Sequence, residues 1–189
     1  DIIASKVMDA WCKMMFRDNF VHGDLHPGNI LVDVSDPHKP KVTLIDVGLC
    51  QMMSRMESKK ADNLMSSLVE WNPAMTAETL LGMGTNQTGA MVESFKRDLV
   101  KLFSCYDPAI YSSNDIVFEV QDHTFRTLRD NYVTMDAPYC SLLFNTMVTQ
   151  TLVTALNPDY NMILHTAPWL VTEGHMSQQL VVNTVKSFL

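Results

Sequence analysis

The sequence predicts a mainly α-helical domain that carries one short β-hairpin near its start. Three observations predict it. From residue 54 onward apolar side chains recur every three or four positions, the period of helices with one buried face. Ahead of that lie two short runs rich in β-branched and apolar residues, Ile30–Val34 and Lys41–Ile45. They flank Ser35-Asp36-Pro37-His38-Lys39-Pro40, a turn cluster whose two prolines cannot continue a ladder. The composition is that of a folded chain: 189 residues, 47% hydrophobic and 19% charged, enough for one domain with a sizeable core.

The elements follow in order. Within residues 1–18, Asp1 to about Arg17 reads as an amphipathic helix, with Ile3, Val7, Ala10, Trp11, Met14 and Met15 on one face. It leads through Phe20-Val21 into residues 22–48, which hold a loop, the hairpin and an Asp-x-Gly motif. The helical remainder spans 54–189. Ser54–Trp71 sets Met56, Leu64, Met65, Leu68 and Val69 inward and leaves Lys59, Lys60, Asp62 and Asn63 more exposed. After a break at Asn72-Pro73, a helix over about Ala74–Leu81 stops at Gly82 and Gly84. Thr88–Phe103 places Met91, Val92, Phe95, Leu99, Leu102 and Phe103 on a core-facing stripe. Ser113 or Asn114 can cap a helix to about Asn131, with Ile116, Val117, Val120, Thr124 and Leu128 inward. Asp136 and Pro138 open another that reaches about Leu156, since proline is favoured in a first turn. Residues 156–161 turn into the next helix, and a last one covers about Met176–Phe188.

The chemistry-bearing types concentrate in HGDLHPGNILV and the Asp46-Val47-Gly48 that follows it. A hairpin centred on the six-residue turn cluster pairs positions whose numbers sum to 75, which sets Asn29 opposite Asp46. Opposed residues hold their Cβ atoms about 4.5–5.5 Å apart. One hard cation with oxygen ligands at roughly 2.0–2.1 Å bridges such a gap. Asp24 precedes Asn29 by five residues, with Pro27 and Gly28 between them. Pro27 disfavours helical geometry at His26, and Gly28 can take backbone angles that other residues avoid, so the segment is a loop that doubles back. Such a loop aims Asp24 at whatever the cation holds, where a carboxylate can orient a hydroxyl or water and accept its proton. Singly, Asp24 reads as a loop stabiliser, Asn29 as a turn former and Asp46 as a strand-end cap; together they read as a nucleotide–metal site. His22 and His26 are four apart like zinc ligands on a helix, but Gly23 and Pro27 break that helix.

His-x-Asp-x-x-x-x-Asn followed by Asp-x-Gly resembles the catalytic loop and metal motif of the protein-kinase-like superfamily. The His-Pro-Gly-Asn core narrows the resemblance to the UbiB (aarF-domain) atypical kinases or the aminoglycoside and choline phosphotransferases. No Ala-Pro-Glu occurs, as it would in a conventional protein kinase, and no Gly-Asp-Pro turn follows the motif. The helix, break, helix and glycine after Gly48 are similar to the UbiB family. That resemblance implies a kinase-like large lobe, with the small lobe, its phosphate-contacting lysine and the Lys-x-Gly-Gln motif absent from this stretch. It implies ATP or ADP and Mg²⁺ as cofactors, with Asp24 catalytic and Asn29 and Asp46 binding the metal and nucleotide. His22, Gly28 and Gly48 would support the site, His22 by bracing the Asp-x-Gly segment. Val47 stands where the family usually has a packed Phe. The implied function is an ATP-dependent phosphotransferase or ATPase supporting coenzyme Q or lipid metabolism. Its implied partners are a lipid or quinone-like molecule and a membrane-associated complex, and its implied place is mitochondrial in a eukaryote and otherwise cytoplasmic or peripheral to a membrane. A catalytically inactive kinase-like scaffold and a small-molecule phosphotransferase stay open beside it.

The net charge of −7 and pI near 5.2 argue against nucleic-acid binding. No apolar run reaches the roughly 18 residues of a membrane span. Cys12, Cys50, Cys105 and Cys140 are scattered without a Cys-x-x-Cys and read as buried or inert thiols, and the fourteen methionines read first as core filler. The chain starts at Asp1 and reads as a fragment holding half a site, expected to bind Mg-nucleotide weakly or not at all in isolation.

Overall fold

The computed structural model describes residues 2–106 and 114–187, among which are eight α-helices and two strand pairs. Helix α1 (Ile2–Cys12) runs on into a wider π-type turn, Lys13–Arg17. Its buried side chains Ala4, Val7, Met8 and Trp11 pack against α6 (Ala137–Leu156) and α7 (Met162–Thr172). Of these helices, α1 touches the strand at 41–44 and α6 the strand at 20–22. Helix α2 (Arg55–Val69) opens on a capping box, in which Ser54 and Glu57 each satisfy the other's backbone N–H. The break at Asn72-Pro73 is where the sequence puts it. Asn72 Oδ1 accepts from Met75 N at 3.0 Å and Pro73 takes the first position of α3 (Pro73–Gly82).

Helix α4 covers Val92–Ser104, shorter at its start than the expected 88–103. Gly89 sits at φ +87° and Met91 is 45% exposed, so only Phe95, Leu99 and Phe103 form its buried stripe. Helix α5 (Asn114–Asp130) buries Val120 and Leu128. The cap Ser113 lies outside the described residues, as do the side chains of Ile116 and Val117. Helix α8 covers Gln178–Ser187, and Phe188 is outside the described residues. Among the described residues no helix is long and apolar enough to cross a membrane.

The hairpin forms, with β2 (Ile30–Asp33) antiparallel to β3 (Lys41–Leu44). A second pair was not foreseen: β1 (Phe20–His22) lies antiparallel to β4 (Cys50–Met52). These three-residue strands are joined by no local turn, so nothing in the sequence between them announces the pairing. Their partnership closes the 22–48 segment into a loop tied at its neck.

Two members of α2 depart from the expected faces. Met56 is 68% exposed instead of inward, and Asp62 is 6% exposed instead of solvated. Asp62 is buried because His175 covers it, with Nδ1 3.1 Å from the carboxylate. His175 Nε2 lies 3.3 Å from the Phe16 carbonyl, which can only accept, so Nε2 is the nitrogen that donates. Burial raises the Asp62 pKa to about 6, although His175 and the Ser58 hydroxyl both pull it down. A carboxyl whose folded pKa lies above its unfolded value stabilises most below that unfolded value and loses the contribution as pH rises through the folded one. Stability is therefore expected to fall by on the order of 2 kcal/mol between about pH 4 and pH 7 through this group. Asp62→Asn removes the dependence, so the melting temperature of the variant minus that of wild type is expected to increase over that range. A difference that is flat with pH contradicts the assignment.

The cysteines divide by burial. Cys12 is fully buried and its thiol is pushed up to about 12 by burial, against a Thr166 hydrogen bond that lowers it and with a smaller push from the Asp9 carboxylate. Cys105 and Cys140 are exposed, and the four thiols are unpaired. Iodoacetamide at pH 8 is expected to modify Cys105 and Cys140 in the native chain and to spare Cys12. Equal labelling of all three, read by mass spectrometry, contradicts this packing of α1.

Candidate functional site

The loop that follows β1 is pinned from below by two apolar side chains. Val21 is 5% exposed and Leu25 is 1% exposed, so the chain between them must arch over the core. Gly23 makes the arch tight. Its N–H donates to the Leu49 carbonyl at 3.1 Å, and an added Cβ would meet that oxygen at 2.5 Å. Gly23→Ala has to push β1 and β4 apart, and is expected to cost about 1–3 kcal/mol in chemical denaturation. Unchanged stability contradicts the close approach. Pro27–Asn29 then makes a short 3₁₀ turn, whose Gly28 N–H is capped by His26 Nδ1 at 3.0 Å. Gly28 does not take the unusual positive φ open to glycine; it is small because the His26 ring lies against it, 2.7 Å from where a Cβ would stand.

Asp24 and Asn29 are brought together. Asn29 is 6% exposed, and its amide nitrogen donates to the Asp24 carbonyl at 2.9 Å and reaches the Asp24 carboxylate at 3.4 Å. The Asp24 side chain is 44% exposed, with His26 Nε2 3.7 Å from its Oδ2. His22 is 1% exposed and bridges two segments. Its Nδ1 accepts from Asp24 N at 3.3 Å, which leaves the proton on Nε2, 3.2 Å from the Ile45 carbonyl. One buried imidazole thus joins the backbone of Asp24 to the residue before Asp46.

The expected pairing of Asn29 with Asp46 is not what the hairpin makes. Its register is Ile30↔Leu44 through Asp33↔Lys41, and the Asn29 carbonyl accepts from Ile45 N at 2.9 Å, so Asn29 lies opposite Ile45. The strands end at Asp33 and restart at Lys41, and the loop 34–40 holds an odd number of residues where an even number was expected. Ser35 fixes the early exit by donating both its N–H (2.9 Å) and its hydroxyl (2.5 Å) to the Asp33 carboxylate. A one-residue slip would send Asp46 to the other face of a regular strand. Asp46 is no longer regular, however: it sits in the left-handed region at φ 58°, ψ 71°. There Asp is among the few residues tolerated, and its Oδ1 accepts from Gly48 N at 3.4 Å to cap the turn Val47–Leu49.

The donor chemistry suits a hard cation. The Asn29 nitrogen is committed to Asp24, which leaves the amide oxygen as its remaining ligand atom, and Asp46 presents an exposed carboxylate. Among the described residues no three His, Cys, Asp or Glu side chains converge on one point. A cation here would complete its shell with phosphate oxygens and water, as Mg²⁺ does. Around these polar groups the surface is apolar: Leu31, Val47, Leu49 and Met52 are each more than half exposed, including the Val47 position where the family resemblance implies a packed Phe.

One residue that holds the site was missed. Asn145 of α6 is 3% exposed, and its side-chain nitrogen donates to the His22 carbonyl across 123 residues of sequence, while its oxygen accepts from Thr149 Oγ1 at 3.3 Å. The signal was present. Asn145, Thr146, Thr149 and Gln150 put a polar strip at helical spacing on the otherwise apolar α6, and all four are buried.

The profile of the ABC1 atypical kinase-like domain matches residues 1–80, from α1 through most of α3, and so contains Asp24, Asn29 and Asp46 but not Asn145. A protein of Blochmanniella pennsylvanica named "Probable protein kinase UbiB" is 25% identical over 187 residues, 97% of this chain and 33% of its own length. Proteins of the same name from Marinobacter nauticus and Cronobacter sakazakii are 48% identical over 48 residues and 34% identical over 58 residues. These shorter matches cover 25% and 31% of this chain, and 9% and 11% of the relatives. The chain therefore spans about a third or less of the length of the relatives it matches. No solved structure matches it.

Proposed function

With residues 1–80 placing this chain in the ABC1 atypical kinase-like family, we propose that the protein is an ATP-dependent phosphotransferase or ATPase of the UbiB type. The observation that carries the reading is the single hydrogen-bonded unit formed by Asp24, Asn29, His22 and Ile45, the residue before Asp46. The Asn29 amide oxygen and the Asp46 carboxylate would hold Mg²⁺ and, through it, the nucleotide phosphates. The ion supplies charge neutralisation at those phosphates when bound. Asp24 is half-exposed beside Asn29, where its carboxylate orients an acceptor hydroxyl or water and takes the proton that leaves it. His22 and Asn145 fix the backbone that carries Asp24.

The acceptor belongs to the proposal as a small or lipid-like molecule, in keeping with a role in coenzyme Q or lipid metabolism at a membrane surface. The relatives named above are bacterial and lend no support to a mitochondrial placement. A second reading, a kinase-like module that binds partners without turnover, is favoured by the exposed Leu31, Val47, Leu49 and Met52 around the polar groups. Phosphate release by the protein encoded by the full reading frame separates the two. Wild type is expected to outpace both Asp24→Asn and Asp46→Asn; equal rates for all three leave only the binding module. ADP production that depends on added aminoglycoside or choline would instead point to the small-molecule phosphotransferases.

A further inference from the structure

A polar pocket of about 420 Å³ opens beside the neck of the 22–48 loop, between the start of α2 and the end of α7. Small-molecule sites typically measure about 300–1,000 Å³. Asn19, just before β1, and Arg55, just after β4, line one side, and Gly174 and His175 line another. Asp24, Asn29 and Asp46 are not in its wall. Its two cations, Arg55 and Lys59, stand one turn apart on α2, a spacing that puts Cβ atoms about 5–6 Å apart and makes like charges repel. Both side chains are exposed, and neither has a hydrogen bond or ion pair among the described residues. The carboxylates adjacent in sequence to this wall are engaged elsewhere. Asp18 holds Lys13 at 2.6 Å, Glu57 accepts from Ser54 N at 2.7 Å, and Glu173 accepts from Arg17 Nε at 2.9 Å. Asp62 lines the pocket, but one of its oxygens faces His175 and the other is closed off from solvent.

The amides in the wall are open. Asn19 is turned into the left-handed region at φ 51°, and its Oδ1 accepts from the Ser58 hydroxyl, which leaves Nδ2 to donate. That nitrogen has no partner among the described residues and keeps access to solvent, as does the amide of Asn63. Accessible donors and two uncompensated cations therefore share one concave space. A phosphate monoester carries a charge of about −1.5 to −2 at pH 7 and matches both cations, whereas a carboxylate would leave one of them without a counter-charge. Arginine gives phosphate two parallel N–H bonds and lysine gives it a point charge. The space is larger than a phosphate group, and the amides beside it suit hydroxyls. We propose that this pocket binds a small phosphate monoester with a hydroxylated body, its phosphate on Arg55 and Lys59 and its hydroxyls on Asn19 and Asn63. The proposal does not rest on the phosphotransferase reading, because the two sites share no residue.

Glucose 6-phosphate serves as the probe, titrated by calorimetry into the protein encoded by the full reading frame. Low salt preserves the attraction, and EDTA prevents a metal from bridging phosphate to Asn29 and Asp46. The ester is expected to bind with a Kd of about 0.1–1 mM, inorganic phosphate at least about fivefold more weakly, and glucose not at all. Arg55→Gln/Lys59→Gln is expected to weaken the ester at least about tenfold. Arg97→Gln/Lys101→Gln removes the same charges at the same spacing from the exposed face of α4, and is expected to change the affinity by no more than about twofold. No binding of the ester, equal losses in the two double variants, or inorganic phosphate binding as tightly as the ester overturns the proposal. So does binding to vesicles that contain phosphatidic acid without binding of the soluble ester. Turnover of ATP by a protein that binds no ester would remove this inference and leave the phosphotransferase reading standing.

Discussion

Asp24→Asn, made in the protein encoded by the full reading frame, is expected to lower turnover of ATP by about 10²–10⁴-fold while leaving MgATP affinity near that of wild type. The expectation rests on how Asp24 is held. Its position depends on backbone atoms: its N–H donates to His22, and its carbonyl accepts from the Asn29 amide and from His26 N at 3.0 Å. None of these bonds changes when the side chain becomes an amide of the same shape. The amide oxygen can still accept from the Asn29 amide nitrogen, 3.4 Å from the carboxylate, so the main loss is a carboxylate that can take a proton. Asp46→Asn should behave differently. Asn also tolerates the left-handed backbone at this position, so the turn Val47–Leu49 persists and only the charged ligand goes. MgATP affinity is then expected to fall along with the rate. Should the two variants lose rate and affinity in the same proportions, the division of labour between Asp24 and Asp46 is wrong.

The second large effect belongs to a residue far from the motif in sequence. Asn145→Ala is expected to destabilise the fold by about 1–3 kcal/mol, because the His22 carbonyl loses its donor in a buried setting. The same change frees the peptide that precedes Gly23 and Asp24. Displacement of a catalytic group by about 1 Å can cost roughly 10²-fold in rate, and turnover is expected to fall on that order at a temperature where the variant stays folded. Asn145→Asp, which keeps the size but presents oxygens to a carbonyl, should be no better. Full activity in a folded Asn145→Ala would show that α6 merely packs beneath the loop.

Several of these features are legible in the sequence, and the exceptions share a cause. Asn72-Pro73 is a local signal, and the α2–α3 break follows it. The two β-branched runs and their proline-containing cluster were enough for β2 and β3. Their register was not legible, because it turns on where Ser35 bonds the Asp33 carboxylate, one residue earlier than the turn cluster suggests. The β1–β4 pair joins residues such as His22 and Cys50 with no turn between them to mark it. Asp62 looked like a solvent-facing helix carboxylate because its cover, His175, comes from the far end of the chain. Within the site, Asp24, Asn29 and Asp46 stood out by type and spacing. Asn145 did not, since its partner is a backbone carbonyl that no side-chain motif records. Local chemistry was visible and long-range hydrogen bonding was hidden.

The most direct test is a crystal structure of the protein from the full reading frame with Mn²⁺ and a non-hydrolysable ATP analogue, located by the anomalous signal of the metal. The account predicts one ion coordinated by Asn29 Oδ1 and an Asp46 carboxylate oxygen at roughly 2.0–2.2 Å, with phosphate oxygens completing the shell and Asp24 facing the terminal phosphate. An ion bound elsewhere, or nucleotide bound with Asn29 and Asp46 both out of reach of the metal, would contradict it.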